Sequence, residues 1–183
     1  MQEYRHFASP AAVADWVALH YTEGQLQALC VNDMLDSPLL DYKGGSYRDM
    51  NTHLRMGVEN LHSPYDISGL QKLLKGYQLP EGVETHRFVC WKEWLKLFWN
   101  TRHNRVYTYP SFLSTTLLKD YYSMDEIKKG RIVITILAPC GSTGTYLPEV
   151  NEEAPEFEIL FPHHTSLRRI SFSKYQIVNN LGD

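Results

Sequence analysis

Two glutamates late in the chain, Glu156 and Glu158, have a spacing that suits acid–base or electrostatic chemistry. On a strand, alternate side chains share one face, so the two carboxylates would lie about 7 Å apart while Phe157 and Ile159 face the core. Like charges at this separation raise one pKa, as an acid–base site requires. A solvated strand with two surface glutamates has the same pattern, so the pair alone leaves both interpretations open.

Three further polar motifs precede the glutamates. Arg87 lies in a strand-like segment, residues 85–89, and a Ser-Thr-Thr run follows at residues 114–116. Earlier, the segment from residue 46 to residue 57 has the spacing of a helix, and three of its polar side chains share one helix face: Tyr47, Asn51 and Arg55.

In this order, the motifs resemble those of the arginine-specific mono-ADP-ribosyltransferases, the R-S-E class that includes toxins and effectors. A glycine-rich turn at residues 141–144, followed by Tyr146 and Leu147, extends the resemblance over about residues 47–162. The chain departs from the family pattern at Phe88, where glycine is usual, and at Thr116, where serine is frequent. The resemblance implies an α+β fold: N-terminal helices packed on a two-sheet mixed β core, with NAD in the cleft between the sheets.

The resemblance also implies a role for each motif residue. Glu158 would stabilise positive charge on the ribose as its bond to nicotinamide breaks, and Glu156 would orient an acceptor guanidinium. Arg87 would hold an NAD oxygen, and Ser114 would hold Glu158 in place through a hydrogen bond. The other expected NAD contacts come from the helix and the hydroxyl run: Tyr47, Asn51, Arg55, Thr115 and Thr116.

Each of these residues also has an ordinary structural interpretation. Arg87 could be a surface arginine, the strand hydroxyls could satisfy local hydrogen bonds, and the helix could simply have a polar outer face. An acidic loop at residues 148–155, which has a proline at each end, directly precedes the glutamates. Its position predicts contact with the target through four residues: Glu149, Asn151, Glu152 and Glu153.

The composition argues against several other classes of protein. The 183 residues, 43% of them hydrophobic, fit one globular domain over residues 1–183. The net charge of −3 disfavours a general nucleic-acid binder. The sequence contains neither an apolar run long enough for a membrane nor a cleavable signal. The 3 cysteines are widely spaced, and the 8 histidines include no His-Glu-x-x-His spacing, so we expect neither a disulfide framework nor a metal.

Helix signals dominate the first third of the chain and strand signals the remainder. Helices are predicted to start at Ser9, Thr22, Ser46 and Asp66, with shorter ones at residues 91–100 and 123–129. Strands are predicted at residues 86–91, 106–116, 131–138, 156–162 and 167–178. Helices first and strands later indicate an α+β domain rather than alternating βαβ units.

The sequence therefore predicts an enzyme that consumes NAD and transfers ADP-ribose to arginine on a target protein. By family analogy it is a toxin or effector that leaves its producer by a route without a cleaved signal, or as part of a longer chain, and acts in a target-cell cytosol. Three alternatives stay open: an NAD glycohydrolase, a transferase with a non-arginine acceptor, and a catalytically inactive binding module. An immunity or regulatory protein that blocks the cleft also stays open.

Overall fold

The structure is a computed structural model that describes residues 3–30, 38–57, 66–120, 129–148 and 156–178. Within these ranges the helices mostly precede the strands, which confirms the predicted α+β class. The helices are α1 (Pro10–His20), α2 (Glu23–Cys30), α3 (Pro38–Asp41), α4 (Tyr47–Arg55), α5 (Ile67–Lys75) and α6 (Trp91–Asn100). Residues 123–128 of the predicted short helix lie outside the described ranges. None of the described helices has the length and apolar character needed to cross a bilayer.

Three helix starts follow from local capping, as the sequence predicted. The Ser9 hydroxyl accepts a hydrogen bond from the third residue of α1, and the Asp66 carboxylate does the same for α5. Thr22 and Gln25 form a capping box, in which each side chain accepts from the other's backbone N–H at 3.2 and 2.8 Å. These caps satisfy N–H groups that the first helical turn leaves unpaired.

The predicted cap at Ser46 is wrong. Its side chain makes no capping hydrogen bond, because the chain is already helical when it reaches α4. A π-helical turn, Tyr42–Ser46, connects α3 to α4, and Gly45 within it has φ 114°. That left-handed value strongly favours glycine, and it redirects the helix so that α4 presents a polar face beside the sheet.

Eight described strands form one mixed sheet in the order β2-β7-β8-β4-β1-β3-β6-β5. They are β1 (Val83–Val89), β2 (Val106–Thr108), β3 (Leu113–Thr116), β4 (Ile132–Ala138), β5 (Thr145–Tyr146), β6 (Glu158–Phe161), β7 (Ser166–Arg169) and β8 (Lys174–Ile177). The pairing of β4 with β8 is parallel, and the other neighbours in the order are antiparallel.

The ladder between β1 and β3 is short, since one register pair, His86 with Thr116, joins the two strands. On one side lie β2, β7, β8, β4 and β1, and on the other lie β3, β6 and β5. These two parts correspond to the two sheets of the prediction. Alternation along β6 sends Ile159 and Phe161 into a core shared with α1 and α6, and Leu160 into a second core beneath α2 to α5.

Two predicted strands are each divided in the structure. The segment 106–116 breaks into β2 and β3 around Pro110, which lacks the N–H that a continuous ladder needs. The segment 167–178 is a hairpin, β7 and β8, closed by a hydrogen bond of 2.8 Å from the Ile170 N–H to the Lys174 carbonyl. The short strand β5 has two residues and was not predicted.

Candidate active site

A cleft of about 550 Å³ lies between α4, the π-helical turn and the ends of β1, β3 and β6. This volume is within the range of small-molecule and cofactor sites. Its lining includes seven residues that the sequence predicted for the site: Tyr47, Asn51, Arg55, Arg87, Ser114, Glu156 and Glu158. Thr115 and Thr116 line an adjoining hollow that shares Arg87, Ser114 and both glutamates. The fold therefore brings together motifs from four separate stretches of the chain.

Glu158 is the first residue of β6 and pairs with Thr116 across the ladder to β3. Its side chain is only 7% exposed. Burial raises the pKa of this carboxyl above its ordinary value, and the nearby Glu156 raises it further. Lys43 and a hydrogen bond with the Ser114 side chain act in the opposite direction and favour the ionised form.

Glu156 lies outside the strand, so the regular alternation that the sequence predicted is wrong here. Phe157 has φ 48°, a left-handed value that breaks the extended backbone between the two glutamates. Phe157 and Ile159 are nevertheless buried in the core, as predicted. The Glu156 side chain is 57% exposed, whereas that of Glu158 is almost fully buried.

Lys43 connects the two glutamates and was not found from the sequence. It lies in the π-helical turn, and its Nζ is 3.5 Å from a carboxylate oxygen of each glutamate. Its side chain is 9% exposed, so this ion pair with Glu158 is largely shielded from water. No sequence spacing relates Lys43 to residues at the other end of the chain, and the turn containing it matches no nucleotide motif.

Arg87 is held in one orientation by three hydrogen bonds. Its Nη1 donates to the Ser114 carbonyl at 2.7 Å, its Nη2 to the Tyr109 hydroxyl at 3.2 Å, and its Nε to Glu93 at 3.3 Å. The side chain is 16% exposed and is therefore no ordinary surface arginine. The Ser114 contact also links β1 to β3 across the cleft floor.

Glu93 and Tyr109 complete this network, and the sequence analysis missed both. The Tyr109 hydroxyl donates a short hydrogen bond to the same Glu93 oxygen that receives the Arg87 Nε. Burial by itself would raise the pKa of Glu93, but Arg87 and this hydroxyl hold the pKa below its usual range. The sequence does contain one signal for this network, because Glu93 is the single acidic residue in the largely apolar helix α6.

The three predicted α4 residues differ in their exposure and in their contacts at the cleft. The Asn51 side chain is buried, and its Oδ1 accepts from the Phe112 N–H at 3.0 Å, which ties α4 to the segment before β3. The Tyr47 ring is exposed at the cleft, and its hydroxyl accepts a hydrogen bond of 3.0 Å from Arg48. Arg55, in the last turn, adds positive charge to the wall.

Thr115 and Thr116 position the segment that carries the glutamates. The Thr115 hydroxyl donates to the Ile159 carbonyl at 3.1 Å, and the Thr116 hydroxyl donates to the Glu156 carbonyl at 2.9 Å. The hydroxyl hydrogen of each threonine is therefore donated to a backbone carbonyl beside the cleft. The four predicted target-contact residues, Glu149, Asn151, Glu152 and Glu153, lie outside the described residues.

A family model for "ADP-ribosyltransferase exoenzyme" matches residues 36–180, most of the chain. This chain belongs to the ADP-ribosyltransferase exoenzyme family. The match confirms the resemblance to ADP-ribosyltransferases on which the motif residues were selected. A search of curated proteins found no match.

Solved structures of ADP-ribosyltransferases share the fold at low sequence identity. The ADP-ribosylating toxin BECa of C. perfringens, solved with NADH, is 17% identical with a TM-score of 0.70, over 96% of this chain and 50% of its own. An ADP-ribosyltransferase from Clostridium botulinum is 16% identical with a TM-score of 0.68, over 96% of each chain. An ADP-ribosyltransferase toxin from Paenibacillus larvae is 16% identical with a TM-score of 0.65, over 98% of this chain and 100% of its own. This chain thus spans about half the length of BECa.

The cleft of this ADP-ribosyltransferase combines two kinds of electrostatic group. Glu158 is a shielded carboxylate that can stabilise positive charge beside it, since Coulomb interactions strengthen where water is excluded. Arg87 and Arg55 are cations on the surrounding walls that can hold an anionic ligand. The same cleft can therefore bind a phosphate-bearing molecule and stabilise a cation that forms within it.

Proposed function

We propose that this enzyme binds NAD in the cleft, cleaves the bond between nicotinamide and ribose, and transfers ADP-ribose to an arginine side chain. The observation that carries the proposal is the buried Glu158 carboxylate, paired with Lys43 and hydrogen-bonded with Ser114, in a cleft that also contains Arg87. Family membership supports ADP-ribose transfer as the reaction.

Glu158 acts on the ribose in this proposal. As the C–N bond breaks, its electron pair goes to the nicotinamide ring and positive charge develops on the ribose. An ionised carboxylate next to the sugar stabilises that charge, and its shielding from water strengthens the effect. Lys43 supports this role because it favours the ionised form of a carboxyl whose pKa is raised by burial.

Arg87 holds the NAD phosphates or a ribose oxygen. Its hydrogen bonds to Glu93, Tyr109 and Ser114 involve three of the five N–H donors of a guanidinium, and an oxygen of NAD would accept from another. Because these protein contacts fix the guanidinium plane before NAD arrives, little side-chain entropy is lost on binding. Tyr47 and Arg55 contribute the wall near the rest of the molecule.

The arginine acceptor is supported by the arrangement of Glu156. Its carboxylate is half-exposed and lies near Glu158, so an incoming guanidinium meets a carboxylate before it reaches the ribose. Glu156 can orient that guanidinium by paired hydrogen bonds and take the proton that the attacking nitrogen releases as the new bond to the ribose forms. The 3.5 Å contacts of the Lys43 ammonium indicate that a cation is stable between the two carboxylates.

The biological setting belongs to the same proposal. Structural relatives include named toxins, which supports a secreted toxin or effector whose target is a protein inside another cell. A protein that covered the cleft would block both NAD and acceptor, so an immunity or regulatory partner is compatible with this setting. We do not expect a nucleic-acid target, because the net charge of −3 disfavours a polyanion.

The decisive experiment measures nicotinamide release from NAD with and without agmatine, a small guanidinium acceptor. We expect agmatine to stimulate release in the wild type, Glu158→Ala to abolish it, and Glu156→Gln to lose the stimulation while retaining some hydrolysis. Glu23→Ala, an exposed glutamate on α2, is the matched control and should behave as the wild type. Nicotinamide release at the same rate with and without agmatine would refute arginine transfer. The absence of any release from folded protein would refute the proposal that the protein is an enzyme that cleaves NAD.

A further inference from the structure

Three potential metal ligands from distant parts of the chain converge at the edge of β1. A ring nitrogen of His6, a carboxylate oxygen of Glu84 and a ring nitrogen of His86 all lie within 4.8 Å of one another. The Glu84 Oε1 is 3.6 Å from His6 Nδ1 and 3.9 Å from His86 Nε2. One carboxylate oxygen therefore faces both imidazoles.

The backbone builds this cluster. Glu84 and His86 are alternate residues of β1 and share the face opposite Arg87. The N-terminal segment lies parallel to β1, where the Arg5 N–H donates to the Gly82 carbonyl and the Arg5 carbonyl accepts from the Glu84 N–H, both at 2.9 Å. This pairing fixes the position of His6 beside the strand. No spacing in the sequence could reveal a site that depends on it.

His86 carries a buried ring nitrogen that no group in the described part of the chain contacts through a hydrogen bond. The residue is 1% exposed, and among the described residues its Nε2 has no hydrogen-bond partner. A neutral imidazole carries a proton on one ring nitrogen and keeps a lone pair on the other. The Thr135 hydroxyl is 3.5 Å from Nδ1, where its oxygen can accept a hydrogen bond from a protonated Nδ1. In that tautomer the Nε2 lone pair faces the Glu84 carboxylate, an arrangement that a cation between them would stabilise.

We propose that His6, Glu84 and His86 bind a Zn²⁺ ion. Two atoms bound to tetrahedral Zn²⁺ at 2.0–2.1 Å are about 3.4 Å apart, so the two Glu84 separations of 3.6 and 3.9 Å need slight closure. The two imidazole nitrogens lie within 4.8 Å of each other, and rotation of the exposed His6 side chain would bring them closer. Imidazole and carboxylate together suit zinc, and a water molecule would complete four-fold coordination. The His6 side chain is 56% exposed, which gives the ion a route from solvent.

A neighbouring lysine prepares the carboxylate for this role. The Lys174 Nζ lies 2.9 Å from Glu84 Oε2, which leaves Oε1 directed at the two histidines. Hydrogen bonding of the distal oxygen is a common way to orient a ligating carboxylate. The alternative is that Glu84 serves only its ion pair with Lys174, and in that case the histidines should bind no metal.

The ion would act as a structural clamp at the margin of the active site, since His86 also lines the hollow that adjoins the cleft. It would bond the N-terminal segment to β1, one residue from Arg87 and at the register pair of His86 with Thr116 that joins the two parts of the sheet. A ligand that binds only the folded state raises its stability. Zinc should therefore raise the melting temperature, even in an enzyme that carries Glu158→Ala.

The test measures Zn²⁺ binding to tag-free, metal-free protein by competition with a chromogenic chelator, with Co²⁺ absorption as a probe of tetrahedral geometry. His6→Ala is the main variant because the exposed side chain can be removed without disturbing the core. We expect one ion per chain, a loss of affinity of at least about 10-fold in His6→Ala and in His86→Gln, and a tetrahedral Co²⁺ spectrum in the wild type.

The matched control is His103→Asn. His103 is an exposed histidine at φ 55°, a conformation that asparagine accepts well, so its loss should leave binding unchanged. At a free Zn²⁺ concentration 100-fold above Kd, the melting temperature should rise by roughly 5–10 °C, and this rise should vanish in His6→Ala. The proposal fails if no saturable binding appears by about 1 mM Zn²⁺, or if His103→Asn weakens binding as much as His6→Ala.

Discussion

Replacing Lys43 with methionine should shift the pH dependence of NAD cleavage rather than abolish the reaction. Methionine fills a similar volume but removes the ammonium that lies 3.5 Å from Glu158. Glu158 must be ionised to stabilise the ribose cation, and burial already raises its pKa. Without Lys43 that pKa rises further, so the acidic limb of the pH–rate profile should move to higher pH.

The size of the shift follows from the geometry. Two unit charges 3.5 Å apart interact by about 5 kcal/mol at an effective dielectric constant near 20. Relaxation and water entry reduce this value, but about 1.4 kcal/mol suffices to move a pKa by one. We therefore expect the limb to move by at least about one pH unit, with kcat/KM on that limb about 10-fold lower. The exposed Glu156 pair contributes little, because solvent screens it.

The assay is kcat/KM for nicotinamide release, measured from pH 5 to pH 9, because this ratio reports the ionisation of the free enzyme. Lys75→Met, an exposed lysine on α5, is the control for charge removal, and Lys43→Arg should restore most of the wild-type profile. An acidic limb that stays at the wild-type pH in Lys43→Met would refute the reasoning. Higher activity in that variant at every pH would instead identify Lys43 as a group that blocks the acceptor position.

Three further changes test other parts of the site and fold. The pKa of Glu158 is higher in the folded state than its ordinary value of 4.5, so the folded protein is more stable when this carboxyl is protonated. That contribution to the free energy of unfolding is lost as the pH rises from 4.5 through the folded pKa, and Glu158→Gln should remove the loss in thermal melts. Glu93→Gln should raise KM for NAD about 10-fold with a smaller effect on kcat, because Arg87 loses its charged partner. Gly144→Ala should lower the free energy of unfolding by at least about 2 kcal/mol in urea, since φ is 147° and a Cβ would lie 2.7 Å from the Phe161 ring.

Each of these changes has a matched control. Gly24→Ala on α2 introduces a Cβ with no atom within 4 Å and should be neutral or stabilising. Glu23→Gln should leave both KM and the pH dependence of stability unchanged. An unaltered KM in Glu93→Gln would mean that Ser114 and Tyr109 suffice to orient Arg87. A free energy of unfolding that is the same in Gly144→Ala as in the wild type would mean that β5 and β6 can move apart at no cost in stability.

Features that depend on neighbouring residues in the chain were predictable from the sequence. The caps at Ser9 and Asp66 and the helix from Trp91 to Asn100 follow from hydrogen bonds and apolar spacing within a few residues. The predicted cleft residues were also found together, although the motif order rather than any local rule pointed to them. Local patterns carry this information because both partners of each interaction are close in sequence.

Features that depend on tertiary approach were not predictable. Lys43 meets Glu158 only because the π-helical turn lies beside the start of β6, and Tyr109 reaches Arg87 only once β3 pairs with β1. The left-handed Phe157 likewise has no sequence signal, since the residues around it favour an extended strand. Polar groups whose partners lie far away in the chain have no periodic pattern to reveal them.

The burial of β6 on both faces has a consequence for how the enzyme loses activity. Ile159 and Phe161 belong to one core, Leu160 belongs to the other, and Glu158 begins the same strand. Neither core can open without releasing the strand that holds the essential carboxylate. Heat or denaturant should therefore unfold both cores and abolish activity in a single cooperative transition. The β6 amide protons should be among the last to exchange with deuterated solvent.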